Sequence, residues 1–311
     1  MIRERDIIAR LRRIATAPEA RGLVDDVAVV GNLVLTHDSI AEGVHFLPFD
    51  PPASVGWKLV AVNLSDLAAK GAEPRAALLS LAIVGDGRWE EAFLSGIEAA
   101  CESYGLALVG GDTFALPEGA PRVLGLTAIG RSVNPIPSRS GGKPGDELWL
   151  VGWIGDAAAG LAMLNADRRA EGALVDTFRQ PIPRLAAGQA LAPLATASMD
   201  VSDGLLLDAL RLAQASGCTA EIALDNVPLS DAFCDERGSS LEARLFAASG
   251  GDDYALLVAL PPHVDPPSSG IPDGTPVTRI GRLREGTSPL ALTYQGQPID
   301  LPNTLGYEHR G

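Results

Sequence analysis

Residues 199–208 read MDVSDGLLLD, which places Asp200, Asp203 and Asp208 in ten residues of otherwise apolar sequence. The pattern recurs along the chain. Asp26 follows Asp25 and precedes VAVV, Asp38 follows LVLTH, Asp66 lies in VNLSDLAAKG, Asp112 closes LALVGGD, and Asp252 and Asp253 follow SGG. Most of these carboxylates end an apolar segment beside Gly, Ser, Thr or Asn. One such aspartate is readily a turn or a helix cap, because its side chain accepts free backbone N–H groups. Asp203, before Gly204 and LLLDAL, fits that role. Repetition at so many segment ends asks for a second role. Carboxylates gathered from distant stretches can hold magnesium, a hard ion that prefers oxygen and shares itself with substrate phosphates. That is the chemistry of phosphoryl transfer, in which metal ions bridge phosphate oxygens and neutralise developing charge.

Other nucleotide signatures are missing. There is no GxxxxGK[ST] loop and no GxGxxG opening a βαβ unit. GGDT (110–113) and SGGDD (249–253) are glycine turns, which either bring backbone N–H groups to a ligand or simply reverse the chain. Arg139 and Lys143 lie in the glycine-rich stretch SRSGGKPGD; an arginine there suits a phosphate, and a solvated loop suits it equally. His45, in EGVHF, is one of four histidines and reads as a substrate contact or an ordinary loop residue. A nucleophilic enzyme fits poorly: no GxSxG occurs, and Cys101, Cys218 and Cys234 have no histidine near them in sequence.

The elements that must position these groups follow from period and punctuation. Helical patterns cover 2–15, 52–71, 88–105, 155–167, 183–195 and 205–217. Strands are expected over 27–40 (two, joined at Gly31-Asn32), 76–84, 106–114 and 122–132, at the end of MDVSDG, over TAEIALDNVPL, and in a β-rich tail. On a strand, Asp200 and Ser202 share a face. The Pro- and Gly-rich connector 133–152 marks the boundary between halves. Neither half alternates βαβ regularly, so the fold class is α+β rather than doubly wound.

At 311 residues the chain has room for two domains. Its net charge of −14 repels nucleic acid and anionic membranes, and would repel a polyphosphate too unless cations screen the site. Three cysteines without paired spacing fit a reducing compartment. The N-terminal helix carries charges of both signs and has no signal-peptide core. No run approaches the roughly 18 apolar residues of a membrane span. A cytoplasmic protein is expected.

Together these stretches resemble the thiamine-monophosphate kinase family, within the superfamily of aminoimidazole ribonucleotide synthetase and selenophosphate synthetase. DDVAVV, THDSIAEGVHF, AVNLSDLAAKGAEP, GGDT, SRSGGKPGD, GDAAAGLA, MDVSDGLLLDA, SGGDDYAL and a terminal GY run in family order. The resemblance implies transfer of the ATP γ-phosphate to thiamine monophosphate, with several Mg2+ ions and no phosphoenzyme. It also implies two domains. The N-terminal α/β domain (1–137) would pair sheets across a homodimer and hold metal and substrate. The C-terminal α+β domain (138–311) would hold nucleotide and metal. By motif, Asp26, Thr36, His37, Asp38, Asp66, Asp112, Asp200 and Asp203 are implied metal ligands. Gly111, Asp112, Arg139 and Ser202 are implied ATP contacts, and His45, Asp252 and Tyr307 substrate contacts; no dedicated base is implied.

Two departures stand out. The family's Ser/Thr-Thr pair is Thr36-His37 here, and its SGGEDY is SGGDDY, with Asp252 one methylene shorter than Glu. The alternative within the superfamily is a synthetase acting on a purine precursor or on selenide. The first cysteine being Cys101, in a helix, counts against the selenide branch. The other class of alternative is a non-catalytic maturation scaffold.

Overall fold

The N-terminal amphipathic stretch forms α1 (Glu4–Leu11), shorter than the periodicity predicts because the chain passes into turns before Pro18. A hairpin follows, β1 (Ala28–Val30) and β2 (Leu33–Ala41), turning at Gly31 as expected. Then come α2 (Pro52–Ala69), β3 (Glu73–Ile83), α3 (Arg88–Tyr104), β4 (Ala107–Ala115) and β5 (Val123–Arg131). In the computed structural model, residues 4–132, 135–267, 269–272, 274–286 and 288–308 are described. Positions 2–3 of the expected first helix and 133–134 of the expected connector lie outside them.

The first sheet has the order β1-β2-β5-β3-β4 and is antiparallel except for the β3–β4 pair, which α3 connects. The second half contributes β6 (Glu147–Val151), α4 (Asp156–Ala166), α5 (Ala173–Arg179), α6 (Leu185–Leu191), β7 (Ala197–Val201) and α7 (Leu205–Ser216). It continues through β8 (Thr219–Ala223), α8 (Asp231–Arg237), α9 (Leu241–Ser249), β9 (Ala255–Leu260), β10 (Val277–Arg284), β11 (Leu290–Tyr294) and β12 (Gln297–Ile299). Its sheet runs β12-β11-β8-β10-β6-β9-β7, with β8 and β11 parallel and the other pairs antiparallel. The mixed two-domain fold is the one expected. The short helices α5, α8 and α9 were not legible, strand β6 forms inside the expected connector 133–152, and TAEIALDNVPL is strand only to Ala223 before a 3-10 turn at Leu224–Asn226.

Helix α2 is the pivot. A helix apolar around its whole circumference is one enclosed on all sides. α2 is buried at almost every position from Ser54 to Ala69. It packs on the first sheet and α3, and its other side meets α6, β7 and β9 of the second half. Ala68 and Ala69 share a core cluster with Leu191, Leu256 and Val258. The approach of α6 is close enough that a Cβ on Gly188 would lie 1.9 Å from the Ala68 carbonyl oxygen. The polar residues that α2 and its C-cap nevertheless bury are Ser54, Lys58, Asn63, Ser65, Asp66 and Lys70. Buried polar groups need partners, and Lys58, Ser65, Asp66 and Lys70 find theirs at the site described next.

Candidate active site

Asp26 (before β1), Asp66 (on α2) and Asp200 (on β7) converge although they lie far apart in sequence. Carboxylate oxygens of the three lie within 4.8 Å of one another. Each is oriented by a neighbour. Thr36 donates its hydroxyl to Asp66, and Ser65 donates to Asp200 Oδ2 at 2.7 Å. Lys70 Nζ holds Asp25 Oδ1 at 2.6 Å and Asp26 Oδ2 at 2.5 Å, and donates to the Ser198 carbonyl at 2.7 Å. Arg139 donates to Asp26 Oδ1.

Charge is unevenly balanced here. Burial alone would raise Asp26, but Arg139 and Lys70 beside it bring its pKa well below the usual carboxylate range. In the others burial outweighs what cations there are. Burial pushes Asp200 up to about 8, with the Asp26 charge adding to it. Burial lifts Asp66 well above the ordinary value, and Asp38, Asp200 and Asp26 reinforce the shift. Asp38 rises to about 6 by burial, against the pull of His37. A group of buried oxygens that resists ionisation for want of cations, on an all-oxygen donor set, fits a hard divalent ion.

Two cavities open on this cluster. One, of about 510 Å3, is lined by Asp26, Thr36, Asp66, Asp200, Arg139 and Arg211 among others. The second, of about 550 Å3, is more apolar, with Ile40, Val44, Val62, Leu161 and Phe246 beside His45, Asp252 and Tyr307. Asp38, Ser202 and Asp203 line both, so the cavities meet there. Both halves of the chain line both cavities.

Most residues singled out from sequence are thus brought together. His37 reaches the first cavity, but its imidazole is engaged on the exposed side of β2, with Nδ1 2.9 Å from Thr127 Oγ1 and Nε2 3.3 Å from Ser39 Oγ. Gly111 and Asp112 lie apart, on the outermost strand β4, with β3 and β5 between them and β2. Gly111 is required there, because its φ is +154° and a Cβ would lie 1.9 Å from the Leu79 carbonyl oxygen. Lys143 is exposed and uses its amide to bond Asp146 Oδ2.

The expectation that Asp203 caps the following helix is not met. Gly204 is the N-cap of α7, with no side-chain cap. Asp208, one turn in, accepts the amides of Ser202 and Asp203 at 3.1 and 3.0 Å instead. That frees Asp203 to face both cavities, tied to Arg211 Nη1 at 2.5 Å. Asp252 is less free than its motif suggests. Its Oδ2 lies 2.9 Å from Lys58 Nζ and its Oδ1 accepts from the Tyr254 hydroxyl at 3.0 Å. Both Asp252 and Tyr254 take left-handed backbone angles, φ +69° and +50°.

Sequence reading missed Lys58, Lys70, Asp208 and Arg211. A signal existed for two of them: Lys70 stands four residues after Asp66, and Arg211 three after Asp208, which on a helix puts each pair on one face.

Two mixed sheets joined across a buried helix, with carboxylates converging at the joint, define the class. Residues 24–132 match the family described as AIR synthase related protein, N-terminal domain, and 143–269 its C-terminal domain. The thiamine-monophosphate kinase of Caulobacter vibrioides is 37% identical, over 98% of this chain and 90% of its own. That of Escherichia coli is 36% identical over 93% and 91%. The structure of AaThiL complexed with AMPPCP and TMP matches with a TM-score of 0.85 at 31% identity, over 99% of this chain and 97% of that one. This chain belongs to the thiamine-monophosphate kinase family.

Proposed function

We propose that the protein transfers the γ-phosphate of ATP to thiamine monophosphate, giving thiamine diphosphate, with Mg2+ at Asp26, Asp66 and Asp200. The observation that carries this reading is the meeting of two cavities at Asp38, Ser202 and Asp203. The cavity with the three carboxylates, Arg139 and Arg211 suits a polyphosphate. The one with Ile40, Val44 and Phe246 suits a ring system and its phosphate. The relatives named above, and the AaThiL complex with AMPPCP and TMP, support the same pair of substrates.

Magnesium, when bound, supplies the positive charge that lets two anionic phosphates approach. The chain's own residues do the rest. Thr36 and Ser65 fix the carboxylates of Asp66 and Asp200. Arg139 and Arg211, anchored on Asp26 and Asp203, offer their remaining N–H donors to ATP oxygens, as Ser202 does between the cavities. Asp38, Asp203 and the Thr36–His37 stretch extend the metal ligand set. His45, Asp252 and Tyr307 hold the acceptor. No base is needed, because the attacking atom is already an anionic phosphate oxygen; positioning and electrostatics carry the catalysis.

Gly111 and Asp112 serve ATP and metal through a second subunit in this reading. Strand β4 supports such a homodimer: it is an edge exposed along its whole length, with Val109 at 62% and Phe114 at 40% exposure, and an apolar open edge pairs readily with another. Residues 1–137 and 138–311 are, in this reading, the two units that hold the substrates between them.

The deciding assay mixes protein, ATP, Mg2+ and thiamine monophosphate. Thiamine diphosphate formed one-for-one with ADP supports the reading. ATP consumed with no thiamine diphosphate overturns it.

A further inference from the structure

Asp252 lines the acceptor cavity; its neighbour Asp253 lines another, of about 550 Å3, that shares no residue with the two above. Trp57 reaches it from α2 in the first half, while Trp153, Asp156, Asp176 and Arg184 come from the second. Cavities of this size at a joint between domains are where small ligands bind.

Arg184 is the unexplained group. Its Nε is shut off from solvent and has no hydrogen-bond partner, and no hydrogen bond or ion pair engages its guanidinium among the described residues. Burial brings its pKa down from the ordinary value, against the neighbouring Tyr104, Asp156 and Asp253. Those neighbours are already committed. Asp253 accepts the Gly155 amide at 2.8 Å at the start of α4, and Asp156 Oδ1 accepts from Ser230 Oγ at 2.7 Å. Burial pushes Tyr104 up to about 12, so it stays neutral. The shut-off Nε is costly to leave unfilled, and the planar fork of a guanidinium matches a carboxylate.

The ligand's remaining chemistry follows from the surroundings. Asp156, Asp176 and Asp253 all line the cavity; burial raises Asp156 and Asp253 above the ordinary carboxylate value, and the negative charge that remains disfavours phosphate dianions. The indole N–H of Trp57 is spent on the Pro181 carbonyl at 3.0 Å, and Trp153 is exposed, so what the two rings offer a ligand is flat apolar surface. We propose that this cavity is a second ligand site, taking a small monoanionic carboxylate with a planar body, its carboxylate on Arg184 and its ring against Trp57 and Trp153.

Benzoate is the probe. Titrated into the wild-type protein, it should quench tryptophan fluorescence saturably and raise the melting temperature, while inorganic phosphate at equal concentration does neither. Arg184→Lys keeps the charge but loses the fork, and should weaken the benzoate Kd on the order of tenfold. Trp153→Ala, at an exposed position that does not endanger folding, should weaken it comparably. Absence of a saturable response in the wild-type protein overturns the proposal. So does an unchanged Kd in both variants, or phosphate acting as well as benzoate.

Discussion

Lys70 donates to the carbonyl oxygen of Ser198 at 2.7 Å, which ties a helix of the first half to a strand of the second. The same ammonium holds Asp25 and Asp26. Ser198 precedes Asp200 by two residues on β7, so one buried cation sets the spacing between carboxylates that the two halves contribute. Lys70→Met leaves Asp25 and Asp26 buried with less cation than they need. Removing one partner of a buried ion pair costs about 3–5 kcal/mol. Equilibrium denaturation should show a loss of that order, with Lys70→Arg recovering part of it. A loss below about 1 kcal/mol, the range of exposed pairs, would remove Lys70 from this role.

Asp66→Asn separates chemistry from folding. The charge of Asp66 is disfavoured where it sits, so an amide of the same shape should leave metal-free stability unchanged or higher. Thiamine diphosphate formation should fall on the order of a hundredfold or more, the scale seen when one transition-state electrostatic group is lost. Asp200→Asn should behave alike. Wild-type turnover in saturating magnesium would refute the assignment of both.

Acidity should act on the metal-free protein in an unusual direction. In the unfolded chain Asp38 and Asp200 titrate near 4; folded, they are held at about 6 and about 8. Between these values the folded state binds more protons than the unfolded one, so stability falls as pH rises. Asp26 is shifted the other way, and its contribution changes only in stronger acid. With a chelator present, the melting temperature should drop from about pH 5 to about pH 8, and less so in Asp200→Asn. Magnesium should restore it at the alkaline end, since binding the folded state alone stabilises it. A flat metal-free profile would show that burial does not hold these carboxylates above their ordinary values.

Lys58 should act on the acceptor rather than on ATP. It is buried on α2, lies 4.0 Å from the centroid of the Phe178 ring, and anchors Asp252 in the wall of the cavity proposed for the acceptor. Lys58→Met releases Asp252, so KM for thiamine monophosphate should rise about tenfold, the cost of one charge-assisted hydrogen bond. KM for ATP should stay the same, and Lys58→Arg should recover part of the loss. Steady-state kinetics with each substrate varied in turn decides; equal changes in both KM values would place Lys58 in general packing.

The sequence by itself determined which groups are available and on which local face each lies. Period two puts Thr36 and Asp38 on one side of β2 and His37 on the other. The helical pattern closed by Gly71 marks α2, and glycine turns mark where strands end in carboxylates. Motif order carried the family and with it the two-domain fold. Tertiary structure alone decided who partners whom. That Lys70 reaches Ser198, that Lys58 restrains Asp252, and that Asp208 rather than Asp203 takes the amides before α7 all depend on how α2 seats against the second half or how a turn closes. Local periodicity fixes the direction of a side chain, but for Lys70 and Lys58 the partner is fixed by packing between segments more than a hundred residues apart. Asp112 shows the same limit: its motif placed it with the metal ligands, and sheet order put its strand at the far edge of the first sheet.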